Sequence, residues 1–377
     1  MKILVSCLAY DDGKSGISDY INSTVQELLA LGDEKPDQEH QLWLLIHPSD
    51  ARVFPLRHPR LQFIYLAEWL KRPLFSMLWH LYLLPLKVKL KSYDLVFLPA
   101  GNRRLLARYP ENVVLTFHDL SQFHIPGKYD RFRTFYVKQL IPHYLAKARR
   151  IQAISENTKN DLLRYYRIKP TRITVNYNGY NPDKLDHPVS EEALRQKLGT
   201  SKKYLLYISR LEHPGKNHVN LLRAYNLLPE EIQGEYDLIC AGSPWNGSEA
   251  IYLEQKKLKF PGNVIFPGFV TNEEMAALYR NASLYVFPSL YEGFGIPILE
   301  AFYCGVPVIC SNRSSLPEIG GTAVLTFNPE DPASIASRIR EILESPALQE
   351  DMIRKGKERL ALFSWRSHVK NLLALVK

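Results

Sequence analysis

Short apolar runs alternate with stretches of helical period along the whole chain. In the first half the runs that predict strands are 3–9, 42–46, 95–98, 113–117, 151–154 and 173–176. In the second half they are 204–209, 236–241, 264–266, 284–287, 306–310 and 323–326. Most are nearly continuous in apolar residues, the pattern of parallel strands covered by helices on both faces. Strands and helices in alternation predict an α/β fold with two doubly wound parallel sheets.

Helix boundaries support that division. Ser190 precedes a periodic run that ends at Gly199, Thr271 and Glu274 have capping-box spacing, and Asp331-Pro332 places a cap before a first-turn proline. The stretch 180–188, with Asn181-Pro182 and His187-Pro188, predicts the linker, giving domains 1–185 and 186–363. After Ser364, residues Trp365, Val369, Leu372, Leu373 and Val376 share one helical face that must dock, and the first domain is the expected partner of segment 364–377. The stretch 74–90 reads as a core helix broken near Pro85, or as an interfacial contact in which Phe75, Trp79 and Tyr82 adjoin Lys87, Lys89 and Lys91.

A chain of 377 residues exceeds one ordinary core, and 46% apolar with 23% charged residues excludes wholesale disorder. The four cysteines form no C-x-x-C pair, against a disulfide scaffold or zinc ribbon. The run 3–10 stops at Asp11-Asp12 without a cleavage site, and no stretch of about twenty apolar residues occurs, so the chain reads as cytosolic. Charge is uneven. Residues 1–185 hold 27 Lys+Arg against 17 Asp+Glu, a net +10, whereas residues 186–377 hold 21 against 22. A basic first half suits an anionic partner: nucleic acid, an acidic membrane or a phosphorylated substrate.

Three segments carry candidate chemistry. From Pro288 to Ala301 a strand end runs through Glu292, Gly293, Phe294 and Gly295 into a helix holding Glu300. The glycines allow backbone N–H groups to face an anion at the helix start, and carboxylates beside phosphates suit sugar hydroxyls. The same pattern also reads as a tight turn with one solvated and one dipole-facing glutamate. After the run 204–209, Arg210 and Lys216 stand at a strand mouth, where a guanidinium fork and an ammonium can neutralise a diphosphate or simply face water. His118, in Thr116-Phe-His-Asp-Leu120, again follows a strand, as a cleft residue or a buried core histidine. The loop Gly13-Lys-Ser-Gly16 is a weak phosphate cradle and no P-loop. No Asp-x-Asp, H-E-x-x-H or G-x-S-x-G occurs, so metal-dependent hydrolysis and serine acyl transfer lose support.

Glu292 and Glu300, with seven residues between them, resemble the E-x7-E signature of family 4 retaining glycosyltransferases of the GT-B fold. The resemblance extends over Thr116–Leu120, Ile154-Ser-Glu-Asn-Thr-Lys159, Asn178-Gly179, Ser209-Arg210 with Lys216-Asn217, Pro267-Gly-Phe-Val270 and Phe363-Ser-Trp365. It implies two Rossmann-like domains facing a cleft, the first for the acceptor and the second for a nucleotide sugar. By the same resemblance Arg210 and Lys216 grip the donor diphosphate, Glu300 the ribose, and Glu292 the sugar hydroxyls. Gly293, Phe294, Gly295, Ile296 and Leu299 belong to the turn and helix at sugar and phosphate, and Gly268 and Val270 lie by the base. His118 and Gly16 line the sugar pocket from the first domain when the domains close. Where many members carry G-G-x-G, this chain has Ser15-Gly16-Ile17-Ser18 and keeps one glycine.

The resulting expectation is a retaining hexosyltransferase of polysaccharide or glycoconjugate synthesis that needs no metal or other cofactor. Its catalytic residues are Arg210, Lys216, Glu292 and His118, with UDP-glucose the first donor and GDP-mannose the next. The acceptor is a saccharide or a lipid-phosphate-linked saccharide, and the basic half allows a peripheral contact with the inner face of an anionic membrane. A GT-B sugar-nucleotide epimerase and a basic nucleic-acid-binding protein are the competing classes. The second would need aromatic platforms or a module that the sequence lacks, and a phosphorylase would need a pyridoxal lysine.

Overall fold

The computed structural model describes residues 1–34, 39–125 and 134–376. The chain forms two compact units: Met1–Gln122, Tyr129–Gly179 and Phe363–Lys377 in the first, Phe123–Lys128 and Tyr180–Leu362 in the second. The change of unit at Gly179–Tyr180 falls a little before the expected boundary at 185.

Among the described residues the first unit holds a seven-stranded parallel sheet. Its strands are β1 (Lys2–Ser6), β2 (Gln41–Ile46), β3 (Leu61–Tyr65), β4 (Leu95–Leu98), β5 (Val113–Phe117), β6 (Arg150–Ala153) and β7 (Ile173–Val175). They lie in the order β3-β2-β1-β4-β5-β6-β7. Central β4 and β5 are buried throughout, as their unbroken apolar sequences require. The apolar-run criterion passes over β3, an edge strand whose run is interrupted by Gln62 and in which only Leu61 is buried. Helix α1 (Gly16–Glu34) follows β1 and buries Tyr20, Ile21, Val25, Leu28 and Leu29, the spacing of one helical face.

The stretch 74–90 is not the core helix expected. Helix α2 (Pro73–Leu78) passes into a wide π turn at Trp79–Leu83 and then a short helix at Leu84–Lys87. Pro85 lacks an N–H and crowds the carbonyl of the preceding turn, so the irregularity lies before the proline. Leu74, Phe75, Leu78, Tyr82 and Leu83 are exposed, as is Leu86 at 79%.

The C-terminal helix Trp365–Ala374 belongs to the first unit and buries Trp365, His368, Val369, Leu372 and Leu373. A Cβ on Gly179 would stand 2.2 Å from the backbone nitrogen of Trp365, so a glycine is required where the two segments meet. His368 Nδ1 lies 2.9 Å from the Tyr177 carbonyl and therefore carries the proton, leaving Nε2 to accept from the Tyr20 hydroxyl at 2.8 Å. Burial lowers His368 to about 4, keeping this latch neutral.

Among its described residues the second unit holds a six-stranded parallel sheet. The strands β8 (Lys203–Ile208), β9 (Tyr236–Ala241), β10 (Val264–Ile265), β11 (Leu284–Phe287), β12 (Val308–Ser311) and β13 (Val324–Phe327) follow the order β10-β9-β8-β11-β12-β13. The expected caps are present. Ser190 accepts from the N–H of Ala193 at the head of the helix Glu191–Leu198, and Asp331 accepts from that of Ala333 before Pro332–Leu343. Thr271 and Glu274 close a reciprocal capping box on Asn272–Arg280.

In both sheets the strand order reverses beside the first strand of the unit, between β1 and β4 and between β8 and β11. In such sheets the connections leave in opposite directions at this point, opening a crevice at the carboxyl ends of the strands.

Candidate functional site

The switch point of the second unit gathers the candidate donor residues. The loop after β8 carries Arg210 and Lys216 into helix α3 (His218–Asn226), and the loop after β11 carries Glu292 into helix α4 (Ile296–Tyr303). The two loops are stitched together. Tyr207, buried on β8, donates its hydroxyl to the Lys216 carbonyl at 2.9 Å and lies 3.1 Å from the Ser289 hydroxyl. The N–H of Leu290 reaches the Gly215 carbonyl at 3.0 Å. Lys216 Nζ donates to Glu292 Oε1 at 2.7 Å, with both side chains mostly buried. The structure therefore joins two residues that lie 76 positions apart.

Asn217 is the joint of this assembly. It has a left-handed backbone (φ 61°), which asparagine tolerates better than most residues, and its side chain is buried. Its Nδ2 donates to the carbonyls of Pro288 at 2.9 Å and Pro329 at 2.7 Å, while its Oδ1 accepts from Asn220. Three loops are thus held by one amide.

The Glu292 turn has its own supports. Its N–H donates to the Ser314 hydroxyl at 2.9 Å, and the Ser315 hydroxyl donates to the carbonyls of Glu292 at 3.0 Å and Phe294 at 2.6 Å. Gly295 takes φ 121°, a conformation that side chains disfavour, and caps α4 without a side-chain hydrogen bond. The head of α4 therefore turns its positive dipole end toward an anion, with the Ile296 N–H at its first position, while Pro297 carries no N–H and that of Ile298 already donates to the Gly295 carbonyl at 3.0 Å. Within α4, Glu300 is partly exposed, and its Oε2 accepts from Tyr279 at 3.0 Å. Burial raises Tyr279 well above its usual value, so its hydroxyl stays a donor that fixes the carboxylate.

The other named residues fall as follows. Arg210 is half-exposed, lies 4.9 Å above the Trp245 ring and 3.6 Å from Glu212. Gly268 is left-handed (φ 75°), accepts the Gly242 N–H at 2.8 Å, and has open space where a Cβ would be; Val270 is partly exposed. Ile296 is partly exposed, whereas the side chains of Phe294 and Leu299 are buried and support the turn from beneath. Gly293 is partly exposed within the turn.

Gly16 and His118 lie in the first unit. A Cβ on Gly16 would touch nothing, so the protein's own packing does not demand glycine there. His118 is partly exposed; its Nε2 donates to the Pro99 carbonyl at 2.6 Å, and its ring meets Tyr20 edge-on at 4.7 Å. Burial lowers its pKa, keeping it neutral near pH 7.

Sequence reasoning missed Asn217, Ser314, Ser315 and Tyr279 as site residues. Ser315 had a signal, a serine ahead of Leu316-Pro317 at a helix start, but its hydroxyl serves the Glu292 turn instead of the helix. Tyr279 and Asn217 act on groups distant in sequence, which spacing does not disclose.

Two doubly wound parallel-sheet units, one with a cation–carboxylate pair at its switch point, are the architecture of the GT-B fold. The chain belongs to the glycosyltransferase family: residues 16–184 match the model Glycosyltransferase Family 4, and residues 190–359 match Glycosyl transferases group 1. It is 33% identical over 259 residues to O-antigen chain mannosyltransferase B of Escherichia coli, covering 68% of each chain. It is 31% identical over 279 residues to the serotype-specific mannosyltransferase WbdA of Escherichia coli, covering 72% of this chain but 33% of that longer one. In fold it resembles HepE of Anabaena, solved in complex with UDP and glucose, with a TM-score of 0.69, 19% identity and 98% of each chain covered.

Proposed function

We propose that the second unit binds a nucleotide sugar and that the chain transfers its hexosyl group, with retention and without a metal, to a saccharide or lipid-linked saccharide of a surface polysaccharide. The observation that carries this reading is the Lys216–Glu292 pair at the switch point, flanked by the uncapped head of α4. Lys216, Arg210 and the α4 dipole meet the negative charge that grows on the departing diphosphate. Glu292 accepts hydrogen bonds from sugar hydroxyls, and Glu300, fixed by Tyr279, accepts those of the ribose. As the bond from C1 to the diphosphate oxygen breaks, the acceptor oxygen attacks C1 from the same face. Its proton passes to the departing phosphate oxygen, so no side chain has to act as base.

The relatives reorder the donors. Both Escherichia coli proteins are named mannosyltransferases, so GDP-mannose replaces UDP-glucose as the first candidate. The exposed apolar face from Leu74 to Leu86, next to exposed Lys87, Lys89 and Lys91, supports a peripheral contact with anionic lipid. Salt-sensitive co-sedimentation with anionic vesicles measures that contact.

A thermal-shift and nucleotide-release panel over GDP-mannose, UDP-glucose and ADP-glucose tests the donor site. GDP-mannose is expected to give the largest stabilisation, and Glu300→Ala to weaken it by about tenfold, the effect of losing a charge-assisted hydrogen bond. Equal responses from wild type and variant would remove Glu300 from the site.

A further inference from the structure

In the second unit the loop after β9 is laid along the loop after β8, beyond the ends of both strands. The N–H of Ser209 donates to the Ala241 carbonyl at 2.9 Å, that of Leu211 to the Ser243 carbonyl at 3.0 Å, and that of His213 to the Asn246 carbonyl at 3.0 Å. In return the N–H of Trp245 donates to the Leu211 carbonyl at 3.1 Å. The parallel pairing of β8 with β9 thus continues through Leu211 and Pro244. A Cβ on Gly242 would collide with the Ser209 carbonyl, so the two loops lie this close only with glycine there. The ladder sets the backbone of Trp245 beside Arg210, while its side chain stays 51% exposed.

The indole meets the Arg210 guanidinium at 4.9 Å from its centroid. The other neighbour of that guanidinium is Glu212, 3.6 Å away and so outside hydrogen-bond distance, and among the described residues its N–H groups donate no hydrogen bond. The manner of holding decides what remains available. A carbonyl or carboxylate that fixes a guanidinium uses up N–H groups, whereas an aromatic face attracts the cation through the ring quadrupole and leaves all five in-plane donors open. Lys216, the second cation of this switch point, is held the other way, because its ammonium donates to Glu292. Arg210 is therefore fixed by its face and unspent along its edge.

We propose that Trp245 is a positioning residue for Arg210: its indole carries the guanidinium by the face, so that the N–H edge is presented whole to the diphosphate of a nucleotide sugar. The assignment deepens the transferase reading and rests on it for the source of the diphosphate, but the effect of the indole on Arg210 is measurable with inorganic pyrophosphate and no sugar donor.

Titration calorimetry of the full chain with inorganic pyrophosphate in EDTA tests it. Trp245→Leu is expected to raise the Kd by about tenfold, the effect of losing a cation–π contact on a charged ligand site. Trp245→Phe keeps an aromatic face and should stay within about threefold of wild type. In an Arg210→Met background Trp245→Leu should cost nothing further, because the indole acts only through the guanidinium. A tryptophan that merely supported the loop would cost affinity in both backgrounds. The proposal is overturned by wild-type affinity in Trp245→Leu, by equal losses in Trp245→Leu and Trp245→Phe, by an undiminished effect in the Arg210→Met background, or by absence of saturable pyrophosphate binding. A chain whose pyrophosphate affinity follows these variants as expected, yet which ignores every nucleotide sugar, would sink the donor assignment alone and uphold the Trp245–Arg210 pair.

Discussion

Lys216→Met is expected to lower turnover by about a hundredfold or more, the usual effect of removing one fixed donor from a site of developing negative charge. Two consequences act together. The departing diphosphate loses an ammonium, and Glu292 loses the cation 2.7 Å away that balances its carboxylate in a largely buried setting. The loop itself should persist, because Tyr207 holds the Lys216 carbonyl and not its side chain. Single-turnover kinetics separate the two effects. If the pair acts as a unit, Lys216→Met combined with Glu292→Gln loses little beyond the worse single variant. Turnover within threefold of wild type in Lys216→Met would remove that residue from the chemistry.

Asn217→Ala is expected to destabilise the second unit by about 3 kcal/mol. Its two contributions are buried carbonyls stripped of a donor and an alanine forced to a left-handed φ, each worth about 1–2 kcal/mol. The Pro288 carbonyl bears most of the loss, since Asn220 also reaches that of Pro329 at 3.1 Å. Calorimetry should show the melting temperature lower by roughly 6–12 °C. Asn217→Gly restores the backbone freedom and should recover only part of this. A variant that melts with the wild type would show that the three loops are held by other means.

These two residues also mark how far the sequence could be read. Glu292, Arg210 and Lys216 could be singled out because each lies in a loop after an apolar run, and in a parallel sheet the ends of such runs converge on one edge; Glu300, inside the following helix, was marked by its spacing from Glu292. The caps at Ser190, Thr271 and Asp331 were legible because a cap and its target are three residues apart or fewer. The Lys216–Glu292 contact was not legible, since it depends on β8 lying beside β11, a pairing that no local pattern encodes. Asn217 and Ser315 were hidden for a related reason. Their partners are backbone carbonyls, which every residue carries and no sequence motif distinguishes. The edge strand β3 is passed over because Gln62 interrupts its apolar run, and the exposed face of α2 shows the opposite failure. There the apolar content misleads, because an exposed face spends its apolar residues away from the core.

The central claim is that fixed cationic groups of the second unit neutralise the leaving diphosphate without a bound metal ion. It is tested most directly by measuring nucleotide release from GDP-mannose, in the presence of an acceptor, by enzyme dialysed against excess EDTA and assayed in EDTA. Turnover equal to that of untreated enzyme, and unchanged on adding magnesium or manganese, is the predicted result. Activity that vanishes in EDTA and returns only with the divalent ion would contradict it.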